Sequence, residues 1–152
     1  DGYRPRWPVP ADTHIAPIEE LVRFGDVIKI LVRPGDDVSF NNDEFLSVGD
    51  DALAGLVEVT HSDPSDRLLE VSALGVSKAT TLERVVARQG HGAREVISAG
   101  DAPNDLPMLF WADTSYAVGN AHPAVLSAAT HVLPTNADEG VAALIETVLA
   151  QL

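Results

Sequence analysis

The sequence contains no cysteine. That excludes a disulfide framework, a thiolate metal centre and a cysteine nucleophile. Positive charge is scarce as well: ten Lys and Arg residues stand against 23 Asp and Glu residues, for a net charge of −13. Such a chain has no diffuse positive field for nucleic acid or an anionic membrane, so neither is expected as a partner. An acidic site could still hold a phosphorylated molecule if a divalent cation bridged the like charges. No apolar run nears the roughly 18 residues of a membrane span, and no leader peptide is visible. Together with the missing cysteine, this leans towards a cytoplasmic chain. The remaining composition is ordinary. Apolar residues make up 45% and charged residues 22% of 152, which argues against disorder, collagen-like repeats and coiled coil. The length suits one domain or two small incomplete ones.

Two textures follow one another along the chain. The opening is punctuated by Pro5, Pro8, Pro10 and Pro17 and reads as extended. A short helix is expected over 18–24, then a strand over 27–33 with Ile28, Ile30 and Val32 on one face. Pro34-Gly35-Asp36-Asp37 reads as a turn. A helix over 42–55 is expected to turn Phe45, Leu46, Ala52 and Leu53 inward. Alternating strands at 56–62 and 67–73 flank the turn Asp63-Pro64-Ser65-Asp66. Wet-faced strands with few helices suit an antiparallel sheet covered on one side.

From Gly75 the pattern becomes helix and strand in alternation. A helix is expected over 77–89, with Leu82, Val85 and Val86 inward and Gly90 after its end. The apolar run 95–99 reads as a buried parallel strand. A helix over 104–112, a strand at 116–118, a helix over 123–129 and a strand at 131–133 follow. A last helix over 138–152 carries Val141, Leu144, Ile145, Val148, Leu149 and Leu152 at amphipathic spacing. The alternation predicts an α/β fold with a parallel sheet and helices on both faces. The boundary between the textures falls at Leu74 to Val76, dividing residues 1–74 from residues 75–152.

The segment richest in chemistry is Gly100-Asp101-Ala102-Pro103-Asn104-Asp105-Leu106-Pro107-Met108-Leu109. It follows the buried strand directly, and ligands of open α/β sheets sit at the carboxyl ends of strands. Asp101 and Asp105 are hard oxygen donors suited to Mg²⁺. Read by itself, the cluster is also an ordinary helix cap. Lys78, one of two lysines, opens the preceding helix, where a cation opposes the helix dipole. Read by itself it is a solvated surface lysine; beside the acidic cluster it could neutralise phosphate charge and hold a carboxylate. Val118-Gly119-Asn120-Ala121 turns the chain at the end of the next strand.

Taken together, these stretches resemble the haloacid dehalogenase-like hydrolases, specifically the Cof-type sugar-phosphatase branch. The family pattern runs Gly-Val-x-Lys, met here by Gly75 to Lys78, then Gly-Asp-x-x-Asn-Asp-x-x-Met-Leu, met by Gly100 to Leu109. A Gly-Asn-Ala stretch at Gly119 to Ala121 and a late Glu139-Gly140-Val141 complete it, with Ala102 where glycine is common. The resemblance covers Lys29 to Leu152. It implies a Rossmann-like core with an α/β cap, and a Mg²⁺-dependent phosphatase that forms an aspartyl-phosphate on a small phosphorylated metabolite. By position, Asp101 is implied as a Mg²⁺ ligand. Asp105 is implied as the second acid, reaching the metal through water or orienting Lys78. Lys78 is implied to stabilise the transferring phosphoryl group. Asn104 and Asn120 are implied as substrate contacts.

The family also uses an Asp-x-Asp pair near its N-terminus, the first Asp as nucleophile, and this sequence has none. The expectation is therefore a chain that begins inside the cap, 1–74 being part of it and 75–152 the C-terminal half of the core. A missing N-terminal core segment would be required for a complete site. Two other readings stay open: a soluble fragment of a P-type ATPase phosphorylation domain, and a non-catalytic Mg²⁺- or partner-binding remnant. The strands of the first half, running straight into Val76-Ser77-Lys78, fit the cap better than a pump. His14, His61, His91, His122 and His131 show no ligand-like pairing and read as surface or turn residues. Trp7 and Trp111 read as packing residues.

Overall fold

A computed structural model describes residues 8–35, 39–61, 66–89 and 95–151. Helix α1 is Ile18–Leu21 and strand β1 is Ile30–Val32. Helix α2, Asn42–Leu53, opens on a reciprocal cap. The Asn41 side chain accepts the Glu44 N–H, and the Glu44 carboxylate accepts the Asn41 N–H, each at 3.0 Å. Strands β2, Val57–Thr60, and β3, Leu69–Ala73, complete an antiparallel sheet in the order β1-β3-β2. Val71 lies opposite both Ile30 and Val59. Side chains alternate across a strand, so Leu69 and Val71 share the face that is buried with Val59 under Phe45, Leu46 and Leu53 of α2. The other face carries Glu70, which pairs with Lys29. Arg33 grips Asp66 with both guanidinium nitrogens, tying the end of β1 to the approach to β3.

Helix α3, Lys78–Arg88, starts on a second reciprocal cap, between Ser77 and Thr80. Strands β4, Ile97–Gly100, β5, Thr114–Val118, and β6, His131–Leu133, form a parallel sheet in sequence order. Gly100 pairs with Ala117 and Val118 with Leu133. Helix α4, Leu106–Trp111, crosses from β4 to β5, and α5, Pro123–Ala128, crosses from β5 to β6. Leu109, Ala117, Val118, Ala121 and Val125 make the core between them. Helix α6, Gly140–Leu149, closes the chain. The architecture is therefore mixed α/β, with one antiparallel and one parallel sheet.

Several details differ from the sequence reading. Strand β1 is short, and Ile28 lies outside it at 90% exposure. Continued register would set Ile28 opposite Ala73, but β1 pairs with β3 only from Ile30 onward. Ala52 and Val85 lie on outer helix surfaces. Helix 104–112 is split: Pro103–Asp105 is a 3-10 turn, and α4 begins after it. The last helix starts at Gly140, because Glu139 adopts left-handed backbone at φ 57° after a 3-10 turn. Of its apolar stripe, Leu144 is buried, whereas Val141, Ile145 and Leu149 are exposed. The expected turns at 36–37 and 63–65, Gly90, His91, Trp7, Leu152 and Pro5 of the opening lie outside the described residues.

Candidate active site

Strand β4 delivers the chain to Gly100, and the loop 101–105 then turns back into α4. Asp105 is only 3% exposed and organises that loop. Its Oδ2 accepts the Asp101 N–H at 2.9 Å and the Ala102 N–H at 3.2 Å. Its Oδ1 receives the Lys78 ammonium from the first residue of α3. A buried carboxylate is costly unless paired and hydrogen-bonded, and here it is both. Burial by itself would raise the Asp105 pKa. The Lys78 ammonium and the two backbone N–H groups outweigh it and hold the carboxyl below its ordinary value. Gly100 makes the tuck feasible: a Cβ there would stand 2.6 Å from Asp105 Cβ and 2.8 Å from Oδ2.

Asp101 is the exposed member of the pair. Partial removal from water and the Asp105 carboxylate raise its pKa, against the lowering effect of Lys78. Lys78 Nζ also lies 3.5 Å from Asn104 Oδ1. So Lys78, from the start of α3, and Asp101, Asn104 and Asp105, from the loop after β4, come together at the carboxyl end of the parallel sheet. Asp105 spends its oxygens on backbone and lysine, an arrangement suited to orienting Lys78. Among the described residues no group of three or more His, Asp or Glu is placed to hold a metal ion by itself. The lysine partners a buried carboxylate, which outweighs its unfavourable place on the helix dipole.

Asn120 stands on a neighbouring loop with a different bond. Its Oδ1 accepts the Asn136 N–H at 2.9 Å. The Gly119 N–H reaches the Pro134 carbonyl at 3.3 Å, and the His122 N–H donates to the Asp101 carbonyl at 2.8 Å. The loops after β4, β5 and β6 are thereby tied edge to edge.

His61 alone among the described histidines departs from the sequence reading; His14 and His131 are exposed and His122 stands at a helix start. His61 is 1% exposed, and neither ring nitrogen has a hydrogen-bond partner among the described residues. Its Nε2 lies 3.6 Å from Asp43 Oδ1, and His122 Nε2 lies 3.2 Å from the same oxygen. Burial lowers the His61 pKa; Asp43 opposes this and His122 adds to it. Residues 43, 61 and 122 are too far apart in sequence for spacing to reveal the cluster. Only His122 carries a local signal, since it precedes a proline at a helix start and caps it through Nδ1.

A model of the haloacid dehalogenase-like hydrolases matches residues 16–145. The chain belongs to this family. The resemblance seen in its motifs, a haloacid dehalogenase-like hydrolase of Cof type, is thereby borne out. A 5-amino-6-(5-phospho-D-ribitylamino)uracil phosphatase of Bacillus subtilis is 37% identical over 89 residues, which is 59% of this chain and 35% of that protein. A phosphoglycolate phosphatase of Methanothrix thermoacetophila is 37% identical over 78 residues, 51% of this chain and 35% of that protein. The solved structure of a haloacid dehalogenase-like hydrolase from B. subtilis superposes with a TM-score of 0.68 at 27% identity, covering 85% of this chain and 44% of that one. The alignments thus span about a third of the length of these curated relatives and under half of the solved hydrolase. No helix among the described residues of this chain is long and apolar enough to cross a membrane.

Proposed function

We propose that the chain is part of a phosphatase that hydrolyses a small phosphorylated metabolite with the help of Mg²⁺. On this reading residues 1–74 belong to a cap and residues 75–152 form the C-terminal half of the catalytic core. The observation that carries the reading is the Lys78–Asp105 pair beside exposed Asp101 at a parallel strand end. Two relatives named as phosphatases of small phosphorylated compounds support it.

The donor chemistry fits Mg²⁺, a hard cation that takes few protein oxygens and keeps several waters. Asp101 would hold it, with the remaining oxygens from water and from residues beyond these 152. A bound Mg²⁺ supplies charge neutralisation for a phosphoryl group. The chain's own contribution is a preorganised ammonium: Asp105 fixes Lys78 so that its charge meets the phosphoryl oxygens without rearrangement. Such electrostatic positioning carries most of the catalysis in phosphoryl transfer. Asn104 stands beside Lys78 Nζ as a phosphate-side contact, and Asn120 is assigned to the substrate side of the next loop. The nucleophile of the proposed aspartyl-phosphate is an Asp-x-Asp aspartate, and none occurs in this sequence.

The test is Mg²⁺-dependent hydrolysis of p-nitrophenyl phosphate by a longer chain that carries an Asp-x-Asp segment, alongside the 152-residue chain. The longer chain is expected to turn over and the short one to be inactive. Asp101→Ala in the longer chain is expected to remove Mg²⁺ binding, measured by calorimetry, together with turnover. Unchanged Mg²⁺ affinity in Asp101→Ala would overturn the assignment.

A further inference from the structure

The main chain of Asp101 is held from two sides. Its N–H donates to Asp105 Oδ2 at 2.9 Å, and its carbonyl accepts the His122 N–H at 2.8 Å. The first hold belongs to the parallel half, since Asp105 is fixed in turn by Lys78. The second leads into the antiparallel half. His122 caps α5, its Nδ1 accepting the Ala124 N–H at 3.2 Å. In the neutral ring the hydrogen then sits on Nε2, and Nε2 faces Asp43 Oδ1 at 3.2 Å. Asp43 lies in the first turn of α2. Two hydrogen bonds, joined through the single residue His122, connect α2 to Asp101.

The Asp43 end of this path is itself anchored. A carboxylate oxygen carries two lone pairs, so Asp43 Oδ1 serves both rings together, with His61 Nε2 at 3.6 Å beside the His122 bond. The two rings meet edge to face with centroids 6.0 Å apart, an arrangement that aromatic pairs favour. His61 is buried and the His122 side chain nearly so, whereas the Asp43 side chain is 68% exposed. Water screens the charge of so exposed a carboxylate. What it contributes is therefore direction: an acceptor oxygen at a fixed place for two withdrawn N–H donors, one from each half of the fold.

We propose that Asp43 is a positioning residue of the candidate site, acting through His122 on the main chain of Asp101. It fixes the His122 ring, the ring caps the start of α5, and the His122 N–H at that corner holds the Asp101 carbonyl. The antiparallel half thereby helps to aim a carboxylate that belongs to the parallel half. The role of Asp101 towards Mg²⁺ rests on the phosphatase reading; the bonded path from Asp43 to Asp101 does not. Removing the hydrogen-bonded support behind a metal-ligating group ordinarily costs about 10–100-fold in affinity or activity. Asp43 acts one residue further back, so its effect belongs at the lower end of that range.

Amide hydrogen exchange followed by NMR in the 152-residue chain tests the path without metal or turnover. Asp43→Ala is expected to speed exchange at the His122 amide about tenfold, the size of one hydrogen bond's contribution to a local opening. The Asp101 and Ala102 amides, held by Asp105, should keep their rates. Asp43→Asn retains an acceptor oxygen and should restore slow exchange at His122. His122→Asn retains a helix cap but cannot reach Asp43, and should speed the amide of residue 122 to a similar extent; it decides the matter should Asp43→Ala fail to fold. An unchanged His122 amide, equal acceleration of all three amides, or no rescue by Asp43→Asn would overturn the proposal. In a longer chain that carries an Asp-x-Asp segment, Asp43→Ala should weaken Mg²⁺ binding about tenfold by calorimetry, and Asp43→Asn should restore it. Full Mg²⁺ affinity in Asp43→Ala would overturn the positioning role. If the unaltered longer chain binds no Mg²⁺, the phosphatase reading fails, and the exchange rates still decide the path from Asp43 to Asp101.

Discussion

Placing a methyl group at position 100 attacks the candidate site at its tightest point. In Gly100→Ala the new Cβ would stand 2.6 Å from Asp105 Cβ, 2.8 Å from its Oδ2 and 2.9 Å from its Cγ. The first of these atoms is rooted in the backbone and cannot swing aside. Overpacking of this kind costs about 1–3 kcal/mol. Asp105 must also shift, and its Oδ2 is the acceptor for the Asp101 and Ala102 N–H groups. Loss of one hydrogen bond to a charged group adds about 1.5–3 kcal/mol. The sum, roughly 2.5–6 kcal/mol, is a large share of the about 5–15 kcal/mol that holds a typical domain together. Urea unfolding followed by tryptophan emission suits the measurement, because Trp111 ends α4 directly after the loop. Asp105→Ala in the Gly100→Ala background removes Cγ and Oδ2, so the two penalties should add to less than their separate values. A loss below about 0.5 kcal/mol, the range of an ordinary surface change, would refute the packing argument.

Two further outcomes follow from the same charges. Lys78→Met should destabilise by about 1–2 kcal/mol in thermal or urea unfolding, because it strips a partner from buried Asp105; Lys78→Met with Asp105→Asn should recover part of that loss, and an unaltered stability in the single variant would show that the pair contributes nothing. Burial holds His61 below its ordinary pKa of 6.5, so the unfolded chain binds more protons just below that pH. Stability should therefore fall as pH drops through about 6.5 and level off below the folded value. His61→Gln should remove this component from the pH dependence of the urea midpoint, and identical profiles for the two proteins would refute it.

The grouping of the candidate site residues was legible because it is local. Lys78, Asp101, Asn104 and Asp105 sit at element boundaries, where turn and cap residues announce themselves, and the structure gathers all four. The order of helices and strands was legible for the same reason, each element being set by its own periodicity. What could not be read is long-range. The outward Ile145 and Leu149 of α6 follow from which neighbours the helix meets, which periodicity does not specify. The 3-10 turn ahead of α4 follows from Asp105 folding back onto the loop, which sets the start of the helix at Leu106. The burial of His61 depends on α2 and the α5 cap arriving from opposite parts of the chain. No pattern within either segment encodes that meeting.

The bonds among the three strand-end loops bear on how this chain can change over time. The loop after β4 is stitched to the one after β5 by the His122 N–H, and that loop to the one after β6 by Gly119 and Asn120. Each stitch uses a main-chain group at a fixed distance from a strand end. A residue inserted at any of these three corners would slide every later group out of reach, whatever its side chain. Substitutions can therefore be sampled along this rim far more freely than changes of length. The opposite strand ends carry ties of their own, from the Thr114 N–H to the Val96 carbonyl and between Ser115 and Thr130, so changes of length are constrained at both rims.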